Sequence, residues 1–353
     1  MSQPSLFKSI DLTIKYILIA LIAIILWSTQ AVILSNAFLK TDFSAILFPA
    51  FVVSSLFFLA YRKKHHRIKV QLSKLLKKSH RQIYYIFPGT IVFFLYHWLL
   101  FLGLRTGPIV ETNLTNFLWP ILFVLLSCAV FSKKNINRKL FRKIINDFDS
   151  FDDEKKSAHK ISSHLGFRIC DYKTAIKMTV GFVGIGLVFT HGNFLELSFS
   201  RWEGPFYGLL AAFSWATFSV YLKFHRCISY MAYYAIGAAF LSGILWWSRG
   251  CPSILPVLLH SIYLGIFPLG IAMVAWEKAL KQGKVHVIGA LGFLAPLFST
   301  TFLYFAKLDF INRYSFIGGI LVIIANIPIR LMKEKMIEIY PSIRRYLTIR
   351  FHH

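Results

Sequence analysis

The amino-acid sequence predicts an all-α polytopic membrane protein with ten transmembrane helices, built as two inverted five-helix repeats with both termini in the cytoplasm. Three observations lead to this fold class. The 353-residue chain is 56% hydrophobic and 16% charged, with a mean hydropathy of +0.58, whereas soluble domains carry about 25% charged residues. Its apolar residues form long runs, its Lys and Arg residues lie unevenly between those runs, and its two halves resemble each other.

The apolar runs have the length of membrane-spanning helices, which is about 17–25 residues. Ten such runs are predicted, at 16–39, 43–61, 83–104, 107–131, 174–190, 204–222, 228–248, 255–276, 285–306 and 314–332. The first run is too long for the core of a signal peptide and lacks a small-residue cleavage site after it, so we expect it to stay in the mature chain.

The positions of the 40 Lys and Arg residues set the orientation, because cytoplasmic loops of membrane proteins are rich in these residues. With both termini inside, 34 of them fall on the inner side. The outer side keeps six, which are Lys40, Arg105, Arg201, Arg249, Lys307 and Arg313. One missed helix would place every later loop on the opposite side of the membrane and would mix basic loops with the others. The observed asymmetry of Lys and Arg therefore supports the count of ten spans.

The two halves of the chain align with each other. The segment LRTGPIVETNLTNFLWP at 104–120 matches LKQGKVHVIGALGFLAP at 280–296, and LWSTQAVIL at 26–34 matches SWATFSVYL at 214–222. Spans one and four therefore correspond to spans six and nine. Because each half contains an odd number of spans, the second half enters the membrane from the opposite side, which is an arrangement typical of transporters.

These alignments define three regions. The first five-helix repeat covers 16–190 and contains a basic cytoplasmic insert at 132–173. The second five-helix repeat covers 204–332, and a basic cytoplasmic tail follows at 333–353.

Polar and aromatic side chains inside the spans are the candidates for a binding site, since they are costly when they face lipid. Thr112, Thr115, Asn116 and Trp119 share one face of the fourth span, with Glu111 at its edge. The predicted substrate-binding residues are Trp27, Gln30, His97, Glu111, Asn116 and Trp119.

Two prolines and a second acidic residue complete the candidates. Pro120 and Pro296 occupy matching positions in the two repeats. Each is expected to kink its helix by removing the hydrogen bond to the carbonyl four residues earlier, on Asn116 and on Gly292. Glu277 lies near a helix end beside Lys278 and is expected to reach the membrane interface.

The formal charge of +25 comes mainly from basic loops next to apolar spans. The chain has no zinc-finger spacing and no RNA-recognition motif, so a nucleic-acid partner is not expected. The loop 62–82 carries apolar residues at helical spacing, which fits either a basic helix on anionic lipid or a solvated loop. The acidic run within the insert 132–173 is a single irregular stretch and is interpreted as a flexible turn.

No motif in the chain predicts an enzyme. It contains no GxSxG, HExxH or P-loop pattern, so no catalytic residue, metal ion or cofactor is expected. The four cysteines are far apart and define neither a disulfide framework nor a metal site. GFVGIGLVF at 181–189 lies inside a span, where small residues allow helices to pack closely.

Four segments resemble the EamA family of the drug/metabolite transporter superfamily, and most closely its bacterial aromatic amino acid exporters. They are LWST, ETNLTNFLWP, AAFSWATFSVY and AWEKALKQGKVHVIGALGFLAPLFST. The resemblance implies the same ten-helix design in a multi-pass protein of the bacterial inner membrane. Gly292, where a polar residue is common in the family, and the insert 132–173 depart from the pattern and leave the substrate open.

The substrate is expected to be an amino-acid-type metabolite with an aromatic ring. The chain has 41 Ile against 24 Ala and 25 Lys against 15 Arg, a bias typical of AT-rich DNA in host-dependent bacteria that import metabolites. This narrowly favours S-adenosylmethionine uptake in exchange for S-adenosylhomocysteine, as in relatives within the superfamily. The alternatives are aromatic amino acid export and flipping of a lipid or lipid-linked sugar. The sequence sets no oligomeric state and no coupling ion.

Overall fold

A computed structural model describes the membrane-embedded part of the chain. The described residues are 4–38, 40–65, 79–131, 172–197, 201–224 and 230–326. The insert 132–173, the tail 333–353 and most of the loop 62–82 lie outside them, apart from the first helical residues at 172 and 173. The lipid contact predicted for 62–82 therefore stays a prediction.

All regular structure in the described residues is helical. The α-helices are α1 (Pro4–Ser28), α2 (Gln30–Ala37), α3 (Phe43–His65), α4 (Ser79–Thr106), α5 (Ile109–Asn116), α6 (Trp119–Phe131), α7 (Tyr172–Thr190), α8 (Glu203–Phe224), α9 (Tyr230–Ser248), α10 (Leu258–Ile266), α11 (Ala272–Gln282), α12 (Val285–Leu291), α13 (Leu294–Phe305) and α14 (Arg313–Asn326). Short 3₁₀ turns lie at Phe194–Glu196 and Leu255–Val257, and a π-helical segment, Phe267–Ile271, joins α10 to α11.

Eight segments of the described chain are long and apolar enough to cross a membrane. They are Ile14–Ala37, Phe43–Tyr61, Ile86–Thr106, Ile109–Ser127, Glu203–Lys223, Tyr230–Ser248, Leu255–Gln282 and Val287–Phe305. Two shorter apolar helices, Ala175–Thr190 and Arg313–Asn326, lie where the fifth and tenth spans are expected. A multi-pass helical membrane protein is thus confirmed, whereas the count of ten and the orientation of the termini stay predictions.

Several spans are broken near their middle, and two of the breaks lie just before the paired prolines. The fourth span is interrupted between Asn116 and Trp119, and the ninth at Gly292 and Phe293. The expectation of a free carbonyl at Gly292 is wrong, because this oxygen accepts a bond from the Ala295 N–H at 3.2 Å. Pro296 has no N–H to donate to the carbonyl four residues earlier, and the N–H three residues after Gly292 donates to this carbonyl instead.

Contacts at the two ends fix the directions of the helices. Thr41, which follows α2, hydrogen-bonds to the carbonyl of Ser253, which precedes α10, at 3.1 Å. At the opposite end, Tyr16 in α1 hydrogen-bonds to Gln282 in α11. The first and eighth spans therefore run antiparallel. We call the side carrying Thr41 the Asp42 end and the side carrying Gln282 the Glu277 end.

The helix pairs that touch come in matched sets. α4 packs on α8, and α1 packs on α11; α5 and α6 pack on α8, and α12 and α13 pack on α1. α3 packs on α9, and α7 on α14. Each contact thus has a counterpart when spans one to five are exchanged with spans six to ten.

Glycines allow two of these pairs to come close. A β-carbon on Gly184 of α7 would lie 2.7 Å from the carbonyl oxygen of Gly318 on α14. Gly107, before α5, and Gly204, in α8, face each other so closely that a β-carbon on either would meet the other's α-carbon. The close packing predicted for 181–189 is confirmed by the first of these contacts.

Candidate functional site

Four tryptophans from four different spans form a closed ring at the centre of the bundle. We call this group, Trp27, Trp215, Trp119 and Trp276, the Trp ring. The ring centroid of Trp27 lies 5.1 Å from the centroids of Trp215 and of Trp276. The ring centroid of Trp119 lies 6.3 Å from that of Trp215 and 5.6 Å from that of Trp276. The planes meet at 63° to 84°, so the contacts are edge-to-face, which aromatic pairs prefer to a flat sandwich.

Two tryptophans of the Trp ring contact interrupted helices, and a third hydrogen-bonds to α8. The indole N–H of Trp27 donates to the carbonyl of Pro268 in the π-helical segment at 3.1 Å, and that of Trp276 donates to the hydroxyl of Ser219 at 3.3 Å. The indole of Trp119 lies directly on the backbone of Gly292, where any β-carbon would collide with it. Gly292, which departs from the family pattern, therefore makes room for Trp119.

Beside the Trp ring, Gln30 and His97 line one small cavity. The other lining residues are Ile46, Leu47, Ala50, Phe101, Leu264 and Leu269. The cavity holds no more than about one water molecule. A substrate would therefore have to displace side chains to enter this cavity.

His97 presents a hydrogen-bond acceptor. Its Nδ1 lies 2.9 Å from the backbone carbonyl of Phe93. A carbonyl oxygen only accepts, so Nδ1 carries the proton and, in the neutral ring, Nε2 is left with a lone pair. Phe51, Phe93, Tyr96 and Trp215 surround the imidazole with ring contacts, which hold its orientation.

Asn116 provides a second acceptor near the same rings. Its side chain is 3% exposed, and its Oδ1 has no hydrogen-bond partner among the described residues. Its amide lies within hydrogen-bonding reach of the Tyr96 hydroxyl. The Tyr96 ring in turn lies 4.6 Å from Trp215, so Asn116, Tyr96 and the Trp ring are connected.

Two threonines on the polar face expected for the fourth span contact a neighbouring helix. The hydroxyl of Thr115 lies 2.8 Å from the carbonyl of Pro205, and Thr112 donates to the carbonyl of Pro108 at 2.7 Å. A β-carbon on Gly208 would meet both threonines. Thr112 and Thr115 therefore hold α5 against α8. These threonines point into the bundle, where glycines on α8 bring that helix into contact with them.

The two acidic residues nearest the membrane core are both buried. Glu111 in α5 is 5% exposed and does not line the small cavity. Glu277 in α11 is 2% exposed, so the expectation that it reaches the interface is wrong. The cause is tertiary: α1 and α8 pack on α11 and cover the turn that carries Glu277.

Glu277 belongs to a charged cluster at its end of the bundle. We call Glu277, Lys281 and Lys223 the Glu277 cluster. Lys281 forms an ion pair with Glu277 one helical turn away. The ammonium of Lys223 lies 2.5 Å, 3.3 Å and 3.1 Å from the carbonyls of Leu280, Lys281 and Gly283, and so caps the carbonyl end of α11, where a cation is favourable.

A second charged group closes the opposite end. We call Asp42, Arg105 and Arg249 the Asp42 cluster, in which the carboxylate of Asp42 pairs with both guanidinium groups. Burial by itself would raise the pKa of Asp42. The hydrogen bond from the backbone N–H of Ser44 and the charges of Arg105 and Arg249 outweigh it, so this pKa lies below its ordinary value.

Sequence reasoning missed three of these aromatic residues. Trp215, Trp276 and Tyr96 were not among the predicted site residues, although the first two complete the Trp ring. The internal repeat contained the signal for Trp215, because this residue aligns with Trp27. Among the described residues, no group of three His, Cys, Asp or Glu side chains is placed to hold a metal ion.

The model of the EamA-like transporter family matches residues 14–141 and 202–330, which together make up most of the chain. The chain therefore belongs to the EamA-like transporter family. This membership indicates a transporter rather than an enzyme. The two matched segments correspond to the two halves that align with each other in the sequence.

Two individual proteins are also similar. The chain is 27% identical over 223 residues to the aromatic amino acid exporter YddG of Ancylobacter novellus, an alignment that covers 60% of this chain and 63% of that protein, which is less than two thirds of the relative. A solved crystal structure matches with a TM-score of 0.68, covering 89% of this chain and 96% of the other at 22% identity. At that identity, the likeness shows the fold alone.

Proposed function

We propose that this protein is a secondary transporter that moves aromatic amino acids across the membrane by alternating access. The observation that carries the proposal is the Trp ring, because four indole groups from four spans meet beside polar acceptors at the bundle centre. When an aromatic side chain enters the Trp ring, contacts between tryptophans are replaced by similar edge-to-face contacts between the tryptophans and the substrate. Each such contact is worth about 0.5–1.5 kcal/mol.

The groups near the Trp ring match a zwitterion. Nε2 of His97 and Oδ1 of Asn116 are acceptors for an α-ammonium group. The side-chain amide of Gln30 supplies a donor for an α-carboxylate and lines the same cavity as His97. We include Glu111 as a buried acid on the fourth span, outside this cavity. Uncharged acceptors suit a substrate whose net charge is zero, since burying an unbalanced charge is costly.

This chemistry and the comparisons favour aromatic amino acids over S-adenosylmethionine. The latter carries a second cation, on sulfur, and the groups that touch the Trp ring and line the cavity are neutral. The similar protein from Ancylobacter novellus is an aromatic amino acid exporter, and nothing in the comparisons supports exchange of S-adenosylmethionine for S-adenosylhomocysteine. We therefore favour aromatic amino acids over the S-adenosylmethionine uptake that the composition predicts.

Alternating access follows from the architecture that we propose, two inverted repeats of five spans. The matched helix contacts support this arrangement, which also requires the antiparallel directions of the first and eighth spans. Halves with near-equivalent packing can exchange conformations and open the centre to one side at a time. The Asp42 cluster closes one side and the Glu277 cluster the other, with the Trp ring between them.

The test is counterflow of labelled tryptophan into proteoliposomes preloaded with unlabelled tryptophan. We expect uptake by the native protein, a loss of at least tenfold in Trp119→Ala and Glu111→Gln, and unchanged uptake in the matched control Trp247→Ala, because Trp247 is 72% exposed on α9. Excess phenylalanine should compete and excess S-adenosylmethionine should not. Competition by S-adenosylmethionine alone would restore the uptake hypothesis, and lipid movement without solute uptake would indicate a flippase.

The orientation has its own test. We propose that the Glu277 end faces the cytoplasm, as the distribution of Lys and Arg predicts. Reporter fusions at residue 345 and within 140–165 should behave as cytoplasmic, and a fusion within 193–202 as external. An external reporter at residue 345 would contradict both the ten spans and the proposed orientation.

A further inference from the structure

Glu277 is a buried acid that the proposed substrate site does not use. It sits in α11, 2% exposed, and pairs through Oε1 with Lys281, whose side chain is only 12% exposed. A charge is rarely removed from water to this degree unless it is paired or has a function. The residue lies at the Glu277 end, away from the small cavity lined by Gln30 and His97.

One carboxylate oxygen at this place is unsatisfied. Oε2 of Glu277 is buried and has no hydrogen-bond partner among the described residues. The hydroxyl of Tyr234 in α9 is also buried. Tyr234 lies close enough for the charge on Glu277 to act on its hydroxyl. Buried groups left without partners require an explanation, and a bound proton or water is the simplest for a carboxylate oxygen.

The surrounding groups make the charge on Glu277 decisive. Lys281 and Lys223 are cations within the cluster, and among the described residues phenols also face this region. By helix, these phenols are Tyr16 of α1, Tyr221 of α8 and Tyr230 and Tyr234 of α9. With Glu277 ionised, one carboxylate offsets the ammonium of Lys281. With Glu277 protonated, that ammonium is buried without a counter-charge, which strongly disfavours the closed end.

The helix that carries Glu277 also carries part of the Trp ring. Trp276 precedes Glu277 in α11, and its ring lies 5.1 Å from Trp27. The π-helical segment Phe267–Ile271 joins α11 to α10, and Trp27 donates a hydrogen bond to Pro268 within that segment. A π-segment is an irregularity about which a helix can bend. One movement of α11 therefore alters both the Trp ring and the charged cluster.

We propose that Glu277 is the proton-exchange site of this transporter and that its protonation opens the Glu277 end. The inference rests on the proposed transport function. While the opposite end is open, the carboxylate takes one proton from that side, becomes a neutral acid and releases Lys281. The opposite end then closes, the Glu277 end opens and substrate reaches the Trp ring. The proton then leaves through the Glu277 end, the ion pair re-forms behind the substrate, and the opposite end opens. One proton thus moves against one substrate molecule.

The experiment uses proteoliposomes with labelled tryptophan under two conditions. Counterflow at equal pH on both sides tests the proposed function alone. In vesicles without tryptophan inside, an acidic lumen then tests the proton coupling, because a gradient of about one pH unit supports about tenfold accumulation at one proton per substrate. We expect Glu277→Gln to lose accumulation driven by the proton gradient and also to slow counterflow, because the variant cannot form the ion pair that closes the Glu277 end.

The matched control is Glu203→Gln, which removes an exposed carboxylate at the start of α8 and should keep both activities. Absence of counterflow in the native protein would refute the proposed function. If counterflow occurs, accumulation in Glu277→Gln equal to the native level, or none in the native protein, would overturn the proton site alone. Accumulation driven by an alkaline lumen would do the same, since it would mean that proton and substrate move together.

A second measurement keeps the inference testable if Glu277→Gln does not fold. Tryptophan is added to the purified native protein in weakly buffered detergent solution at several values between about pH 5 and pH 8, and a pH indicator records proton exchange. We expect proton release at one or more of these values, because substrate and proton exclude each other. No proton release across the range would overturn the inference.

Discussion

The two ends of the bundle are closed by charges in very different surroundings. In the Asp42 cluster, the side chains of Arg105 and Arg249 are 54% and 34% exposed. In the Glu277 cluster, the side chains of Lys281 and Glu277 are 12% and 3% exposed. Arg105 and Lys281 occupy matching positions in the aligned halves of the sequence. The basic residue at this position therefore forms a solvent-exposed ion pair at one end and a buried ion pair at the other.

The difference sets how each end responds to the loss of a charge. An exposed ion pair contributes about 0–1 kcal/mol and is screened by salt. A buried pair stabilises little as a whole, yet removal of one partner costs about 3–5 kcal/mol because the other charge is left uncompensated. The Asp42 end is thus held mainly by packing, whereas the Glu277 end depends on the protonation of one side chain.

The largest expected effect comes from breaking the buried pair. Lys281→Met leaves the carboxylate of Glu277 buried and unpaired, and should lower the free energy of unfolding by about 3–5 kcal/mol. The double variant Glu277→Leu with Lys281→Met removes both charges and should regain most of this loss. Unfolding of the purified protein in mixed micelles with increasing SDS measures both. A double variant no more stable than Lys281→Met would contradict a buried ion pair.

The next effect concerns the cap on α11. Lys223→Met removes the ammonium that lies against the carbonyls of Leu280, Lys281 and Gly283. We expect a loss of about 2–3 kcal/mol, since these acceptors lose a charged donor in a buried place. Lys278→Met, on the exposed face of the same helix, is the control and should change the unfolding free energy little. Equal effects of the two variants would show that Lys223 is not a cap.

A smaller effect tests whether packing holds the Asp42 end. Gly204→Val places a side chain against the α-carbon of Gly107, and should cost about 1–3 kcal/mol by forcing α5 from α8. Leu209→Val on the same helix is the comparison, because Leu209 is 40% exposed. Thermal stability in detergent reports the difference. If Gly204→Val melts like the native protein, the close approach of these helices contributes little.

The smallest effect belongs to the exposed ions. Asp42→Asn should lower the unfolding free energy by at most about 1 kcal/mol, and less in high salt. Because the folded-state pKa of Asp42 is lowered, its contribution is complete above its ordinary pKa and disappears as the pH falls through the lowered value. Stability curves of the native protein and Asp42→Asn should therefore converge well below about pH 4. Curves that diverge on acidification would contradict a lowered pKa of Asp42 in the folded protein.

Much of the fold followed from the sequence. The apolar runs, their length and the basic loops were enough to place the membrane helices, because lipid requires each span to satisfy its own backbone hydrogen bonds. Helix ends were less well placed: α1 begins at Pro4 and α4 at Ser79, earlier than the apolar runs, because a helix continues into polar residues beyond the membrane. The break before Pro120 was predictable from proline chemistry alone.

The sequence by itself also determined the family and two members of the Trp ring, since Trp27 and Trp119 lie in recognisable segments. Only the tertiary structure decided which side chains meet. Trp276 joins the ring and Glu277, its neighbour, turns away into a buried ion pair, although both sit at one turn of α11. Periodicity gives the direction of a side chain around its own helix, whereas burial depends on which other helices pack there, and those contacts join residues far apart in the chain.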